Sequence, residues 1–257
     1  MDRQQKNEQR VALVTGSGKG VGAGVVKVLC RNGFRCCINY NSNPQMAEKT
    51  LAAIEEEGGE AFIFQADVTN DEQLSAMVNA IMEKWGRLDI LVNNAAMQPN
   101  FFVDEYDLPL LQRIWDINIG GYFHAVRKCL PHLRQSPMGR IINISSIHGK
   151  RPTNFDAGYA MTKGAIRQFT RELALELTPD HIPVNTIDLG GCVIEFKTGN
   201  PRFAFNTPLE TRNPDVQNPN RQVYPEEVGE LVLYLCSEKA DAINGAGIRV
   251  DRGLVLT

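Results

Sequence analysis

Residues Val11 to Gly22 read VALVTGSGKGVG. An apolar run, Val11–Thr15, feeds a turn spelled Thr15-Gly16-Ser17-Gly18-Lys19-Gly20-Val21-Gly22. A helical pattern follows through Val25, Val26, Val28 and Leu29 and stops near Gly33. A strand that enters a glycine turn and leaves as a helix brings bare backbone close to a phosphate. The helix amino terminus then faces the anion. A Walker loop is excluded, because Gly20 rather than Ser or Thr follows Lys19. The GxGxxG spacing fits only from Gly18, with Ala23 in the last slot, so Thr-Gly-x-x-x-Gly-x-Gly describes the turn better.

The alternation continues outward from this turn. Strands are expected at Phe34–Tyr40, Ala61–Gln65, Asp89–Val92, Arg140–Ile144, Pro183–Ile187 and Ile248–Asp251. Helices are expected from Pro44 to Gly58-Gly59, from an N-cap at Asp71, and over Leu108–Leu133, Ala157–Leu177 and Pro225–Ser237. Strands alternating with helices mean βαβ units, and right-handed crossovers gather them into one parallel sheet. The predicted fold is α/β: a single Rossmann-type, doubly wound sheet of about seven strands with helices on both faces. Continuous apolar strands such as Ile141-Ile142-Asn143-Ile144 suit a sheet covered on both sides. The stretch from Glu195 to Tyr224, rich in Pro, Asn and Arg, breaks the rhythm. Residues 191–224 are expected to form a substrate loop within one catalytic domain spanning 1–257.

Composition narrows the function. With 43% hydrophobic and 22% charged residues, the chain of 257 is neither disordered nor fibrous. A formal charge of −3 gives no attraction to nucleic acid or anionic lipid, and neither is expected as a partner. The polar start MDRQQKNEQR carries no signal peptide, and there is no apolar run long enough for a membrane span. Cys30, Cys36, Cys37, Cys129, Cys192 and Cys236 form no CxxC, so no metal site is expected, and reduced thiols suit the cytoplasm.

Further motifs stand at the ends of the predicted strands: Asp67-Val68, Asn93-Asn94-Ala95-Ala96, Asn118 in Asn-Ile-Gly-Gly-Tyr-Phe, Ser146, and the pair Tyr159-x-x-x-Lys163. Each is weak alone. In this order and spacing, over Val11 to about Val250, the chain resembles the short-chain dehydrogenase/reductase family. That resemblance implies hydride transfer between a nicotinamide cofactor and a secondary alcohol or carbonyl. Asn118, Ser146, Tyr159 and Lys163 are the implied catalytic set. Implied cofactor contacts are Gly16, Ser17, Lys19, Gly20, Val21, Gly22, Asp67, Val68, Asn94, Ala95 and Gly190, besides Tyr159 and Lys163. It also implies a homotetramer paired through the helices at Leu108–Leu133 and Ala157–Leu177 and through the C-terminal strands.

Tyr159 and Lys163 lie one turn apart on a predicted helix and face the same way. A free phenol has a pKa near 10. An ammonium at about 4 Å and an effective dielectric near 20 contributes roughly 4 kcal/mol, enough to bring the phenol toward about 7. Ser146 would donate to the substrate oxygen while Tyr159 delivers the proton. Strand alternation puts the neighbouring Ser145 on the opposite face. In the family, the residue at Asn118 holds a water that links Lys163 to solvent.

An NAD-preferring enzyme carries an acid at the tip of the second strand, bonded to the ribose 2′-hydroxyl. Here that place is Tyr40, followed by Asn41 and Ser42, and no acid lies between Gly33 and Gln45. With Lys19 as a base, NADP (NADPH) is expected over NAD. Some positions depart from the family. Leu189-Gly190 replaces Pro-Gly, Ile194 falls near the usual Thr, Ala96 replaces a glycine, and Arg252 stands where a glycine is usual.

The expected substrate walls are Met97–Phe102, His148–Asp156 and the long loop. They mix Phe101, Phe102, Phe155, Phe196, Phe203 and Phe205 with Gln98, Asn100, His148 and Asn154. The mixture suits a sugar or polyol more than a steroid, and Ser145-Ser146-Ile147-His148 resembles the family's sugar dehydrogenases. Two alternatives stay open. One is a 3-oxoacyl thioester reductase, with Lys150 and Arg151 meeting an anionic carrier. The other is a catalytically silent nucleotide-binding member.

Overall fold

The computed structural model describes residues 9–152, 156–192 and 222–256. Seven parallel strands form one sheet in the order β3-β2-β1-β4-β5-β6-β7. They are β1 (Val11–Val14), β2 (Arg35–Tyr40), β3 (Glu60–Gln65), β4 (Ile90–Asn93), β5 (Arg140–Ser146), β6 (Val184–Leu189) and β7 (Gly247–Val250). The expected doubly wound sheet is present. Strand order reverses between β1 and β4, so a crevice opens at their carboxyl ends.

Alternate side chains of each strand feed two cores. Ala12 and Val14 pack with α1 (Gly20–Arg31) and α7 (Pro225–Leu235). Val11 and Leu13 pack with α3 (Asp71–Trp85), α5 (Gly121–Leu133) and α6 (Ala157–Glu176). Helix α2 (Pro44–Glu56) lies on the first face through Ala47 and Ile54. At the amino end of the sheet, away from the crevice, the buried Asp89 carboxylate accepts from Val11 N at 2.8 Å and from Ser136 Oγ at 2.5 Å. It also pairs with Arg87 at 2.8 Å. No helix among the described residues is long and apolar enough to cross a membrane.

Two details differ from the sequence expectation. The N-cap of α3 is Asn70, whose side chain accepts from Gln73 N. Asp71 is the first helical residue and pairs with Lys128 at 2.5 Å. The stretch Leu108–Leu133 is not one regular helix. Helix α4 (Leu108–Trp115) passes through a π-helical turn, Asp116–Gly120, before α5 begins. Gly121 lies against Val68, where an added Cβ would come within 2.7 Å. Residues 193–221 of the expected substrate loop, with Ile194, Phe196, Phe203 and Phe205, lie outside the described residues, as do Asn154 and Phe155.

Helices α1 and α7 cross at Gly24, where an added Cβ would sit 2.4 Å from the Pro225 carbonyl carbon. Backbone cannot yield there as a side-chain tip can. Gly24→Ala should therefore cost about 1–3 kcal/mol, read as a lower urea midpoint. An unchanged midpoint would contradict this packing.

Candidate active site

The turn after β1 is held by side chains rather than by its own glycines. Asn39, at the end of β2, accepts from Gly16 N at 2.9 Å and donates to Ala66 O at 3.0 Å. Ser17 Oγ is buried, donates to Val14 O at 2.6 Å and accepts from Asn39 N at 3.1 Å. Ser17 was expected at the cofactor, but its hydroxyl is spent inside the loop, which leaves only its main chain to offer. Asn94 Nδ2 donates to Thr15 O at 2.9 Å and to Gly16 O at 3.0 Å, so this amide also braces the turn. Thr15 Oγ1 accepts from Asn94 N at 2.9 Å and Ala95 N at 3.1 Å, which joins the ends of β1 and β4.

This turn fits a dinucleotide. Gly16 has φ +63°, and an added Cβ would lie 2.8 Å from Ala95 Cα. An added Cβ at Gly22 would lie 2.6 Å from Asn94 Nδ2. The backbone is therefore bare on this side. Helix α1 starts at Gly20 with Lys19 as N-cap and no side-chain cap, so its first N–H groups are not consumed by a capping side chain. Lys19 is exposed and Val21 half-buried.

At the end of β2, Tyr40 is half-buried against the core, and Asn41 and Ser42 are exposed. Asp67 is engaged on both oxygens. Oδ1 accepts from Thr69 N at 2.9 Å and Thr69 Oγ1 at 2.7 Å. Oδ2 accepts from Arg113 Nη2 at 2.8 Å and Asn41 Nδ2 at 3.2 Å. Burial pushes the Asp67 carboxyl up, but the bonds from Arg113 and Thr69 outweigh it and hold the group below the usual range. Val68 is buried against Gly121. Gly190 N donates to Val250 O at 2.9 Å, which ties the end of β6 to β7.

Ser146, Tyr159 and Lys163 meet at the carboxyl ends of β5 and β6. The Ser146 hydroxyl donates to Leu189 O at 3.3 Å, accepts from His148 N at 3.2 Å and faces the Tyr159 phenol. Ser145 turns the other way, as alternation requires, and donates to Lys163 O at 3.0 Å. Lys163, 2% exposed, donates from Nζ to Ile144 O at 2.8 Å and lies 5.4 Å from the Tyr159 ring centroid. The Tyr122 hydroxyl donates to the same carbonyl at 2.9 Å. Asn118 is fully buried in the π-helical turn. Its Oδ1 accepts from Met97 N at 2.7 Å, and its Nδ2 donates to Met97 O at 2.9 Å and Thr162 Oγ1 at 3.1 Å. A water relay at Asn118 would have to use its main-chain carbonyl.

The electrostatics correct the sequence argument. Burial lowers the Lys163 ammonium to about 7, so near neutral pH the amine is only partly charged. Burial raises the Tyr159 phenol. The Ser146 hydroxyl opposes this, and the Asp156 charge adds to it. The phenol is thus held protonated at neutral pH, and the expected pull from Lys163 is not among the causes of its shift. His148, whose ring meets Tyr159 edge-on at 5.8 Å, is lowered by burial.

Sequence reasoning passed over Asn39 and Arg113 and gave no bonding role to Thr15 or Asp156. Thr15 and Asn39 flank recognised elements and could have been suspected as polar residues in apolar strands. Arg113 and Asp156 gave no local signal.

A family model described as short chain dehydrogenase matches residues 10–200. Glucose 1-dehydrogenase 2 of Bacillus subtilis is 31% identical over 251 residues, 96% of this chain and 95% of that protein. The 3beta-hydroxysteroid dehydrogenase 1 of Eggerthella lenta is 33% identical over 258 residues, 96% of this chain and 94% of its own. A solved short-chain dehydrogenase/reductase from Serratia marcescens superposes with a TM-score of 0.84 at 31% identity, covering 95% of this chain and 97% of that one.

The depressed Lys163 pKa has a sign for stability. Below about pH 7 the folded protein carries the full cost of a buried ammonium. Between about 7 and 10.5 the unfolded chain binds the extra proton, so that cost fades as pH rises. Lys163→Met should therefore melt a few degrees higher than the unmodified protein at about pH 6. The gap should narrow toward about pH 10. A variant less stable at acid pH would contradict the penalty.

Proposed function

The chain belongs to the short-chain dehydrogenase/reductase family of NAD(P)-dependent oxidoreductases acting on CH–OH and C=O groups, and from this premise we propose that it is an NADPH-preferring enzyme for a polar secondary alcohol or carbonyl, with Ser146, Tyr159 and Lys163 at the reacting end. The observation that carries the reading is the meeting of the Ser146 hydroxyl, the Tyr159 phenol and the buried Lys163 amine, whose Nζ lies 5.4 Å from the Tyr159 ring centroid. When bound, the nicotinamide supplies or accepts the hydride. Ser146 holds the substrate oxygen, and Tyr159 passes its phenolic proton to that oxygen or takes it back. Lys163, near its titration point, returns the proton to Tyr159 and would hold the ribose of the nicotinamide cofactor. Asn118 holds the Met97 main chain and, through Thr162, helix α6.

Lys19 at the bare helix terminus, with Asn41 and Ser42 exposed after β2 and no acid in the sequence from Gly33 to Gln45, supports the 2′-phosphate of NADP. The relatives named for glucose and for a hydroxysteroid differ in substrate polarity. The polar groups Gln98, Asn100 and His148 favour a sugar or polyol. One observation favours a 3-oxoacyl thioester instead: Lys150, Arg151 and Arg249, with Asp188, line one pocket. Phe123, Met161 and Leu175, exposed on α5 and α6, support a homotetramer paired through these helices. The buried, non-disulfide thiols Cys30, Cys36, Cys37, Cys129 and Cys236 support a cytoplasmic location.

Tyr159→Phe is expected to cut kcat by at least about 100-fold and leave NADPH affinity within about twofold, measured by nicotinamide absorbance and fluorescence titration. Wild-type turnover in this variant would refute the proton donor. NADPH should also bind more tightly than NADH, and Lys19→Ala should narrow the difference by about fivefold to tenfold. Equal affinities for the two cofactors in the unmodified chain would remove the preference.

A further inference from the structure

Asp156 stands immediately before α6 in the left-handed region, φ +65° and ψ +52°, and it is fully buried. Neither condition suits an ordinary aspartate. Left-handed backbone costs a residue with a Cβ about 1–2 kcal/mol, and a buried carboxylate demands donors. Those donors come from three places. Oδ1 accepts from Tyr159 N at 3.3 Å, which caps the helix on the residue that carries the phenol. The same oxygen accepts a short bond from the Tyr106 hydroxyl. Oδ2 accepts from Asn100 N at 3.2 Å. In return, Asp156 N donates to Phe101 O at 3.1 Å. Tyr106 then packs edge-on against Phe101 at 5.9 Å and lies directly over Gly158, where an added Cβ would be 2.9 Å from the ring.

We infer that Asp156 is a positioning residue for Tyr159, its carboxylate tying the wall formed by residues 97–106 to the first turn of α6, with Tyr106 as the second anchor. The inference rests on the proposed role of Tyr159. One carboxylate fixes two things that must agree: where the phenol stands, and where the substrate wall that faces it stands. Asp156 also sets the charge around the phenol. Facing Tyr159 are Ser146 and His148 from the end of β5 and the turn after it, Tyr122 from α5, Lys163 from α6, and Asp156. Facing Asp156 are Tyr106, Tyr159 and His148. Asp156 is the anion of this set, and it disfavours phenolate at Tyr159.

Asp156→Asn keeps an acceptor for Tyr159 N and tolerates the left-handed backbone, but it removes the charge. In an ultraviolet titration of phenolate, the Tyr159 signal is the difference between a protein and its Tyr159→Phe counterpart. That signal should move to lower pH by about half to one unit in the Asp156→Asn background. A superimposable titration in a folded variant would overturn the inference. Tyr106→Phe leaves the charge and removes the anchor. It should raise KM for the carbonyl substrate about tenfold with kcat within about twofold, and an unchanged KM would equally overturn it. The titration needs no turnover, so a chain inert toward every alcohol and carbonyl would contradict the functional reading while Asp156 is still scored.

Discussion

An amine kept inside the protein is the constraint on which this site depends. Lys163 has one hydrogen-bond acceptor shown at its Nζ, the Ile144 carbonyl, and it shares that oxygen with Tyr122. The rings of Tyr122 and Tyr159, at 5.6 and 5.4 Å from Nζ, provide the rest of its polar surroundings. That is thin compensation for a buried ammonium, and its proton is accordingly held loosely, at about 7. A loosely held proton beside a firmly held one is a useful pairing. Lys163 can exchange with its surroundings near neutrality, while Tyr159 waits as phenol.

The fold supplies the registration this pairing needs. Ile144 and Ser146 project from β5, whose register against β6 sets Ser146 opposite Leu189. Asn93 Nδ2 donates to Asn143 Oδ1 at 2.9 Å, and Asn143 Nδ2 donates to Thr170 Oγ1 at 2.8 Å. This buried polar ladder links β4, β5 and α6 in one arrangement, because a slipped register would strand its donors. At the nucleotide end, Asn39, Thr15 and Asn94 do the same for the glycine turn. Both ends of the crevice are thus held by polar side chains that point away from it, into the protein.

Much of this was legible in the chain. The β/α rhythm, the glycine turn after Val11–Thr15 and the Tyr159-x-x-x-Lys163 spacing depend on local periodicity, and the sheet and helices follow them to within a residue or two. What escaped was non-local. Arg113 meets Asp67 only because α4 passes the end of β3. Asp156 matters because its backbone turns left-handed, which composition does not announce at an aspartate. The sign of the Tyr159 shift also escaped, since the spacing reports the neighbouring amine but not the burial that raises the phenol. At Asn70-Asp71 two good capping residues stood side by side, and only the Asn70 bond to Gln73 N distinguishes them.

Isotope transfer tests the central claim most directly. The unmodified chain, given NADPH deuterated at the transferable position and a panel of ketoses, ketosteroids, cyclic ketones and 3-oxoacyl thioesters, should place deuterium on the carbinol carbon of at least one product by mass spectrometry. Products without deuterium on that carbon, or no product from any carbonyl with either nicotinamide cofactor, would contradict the account.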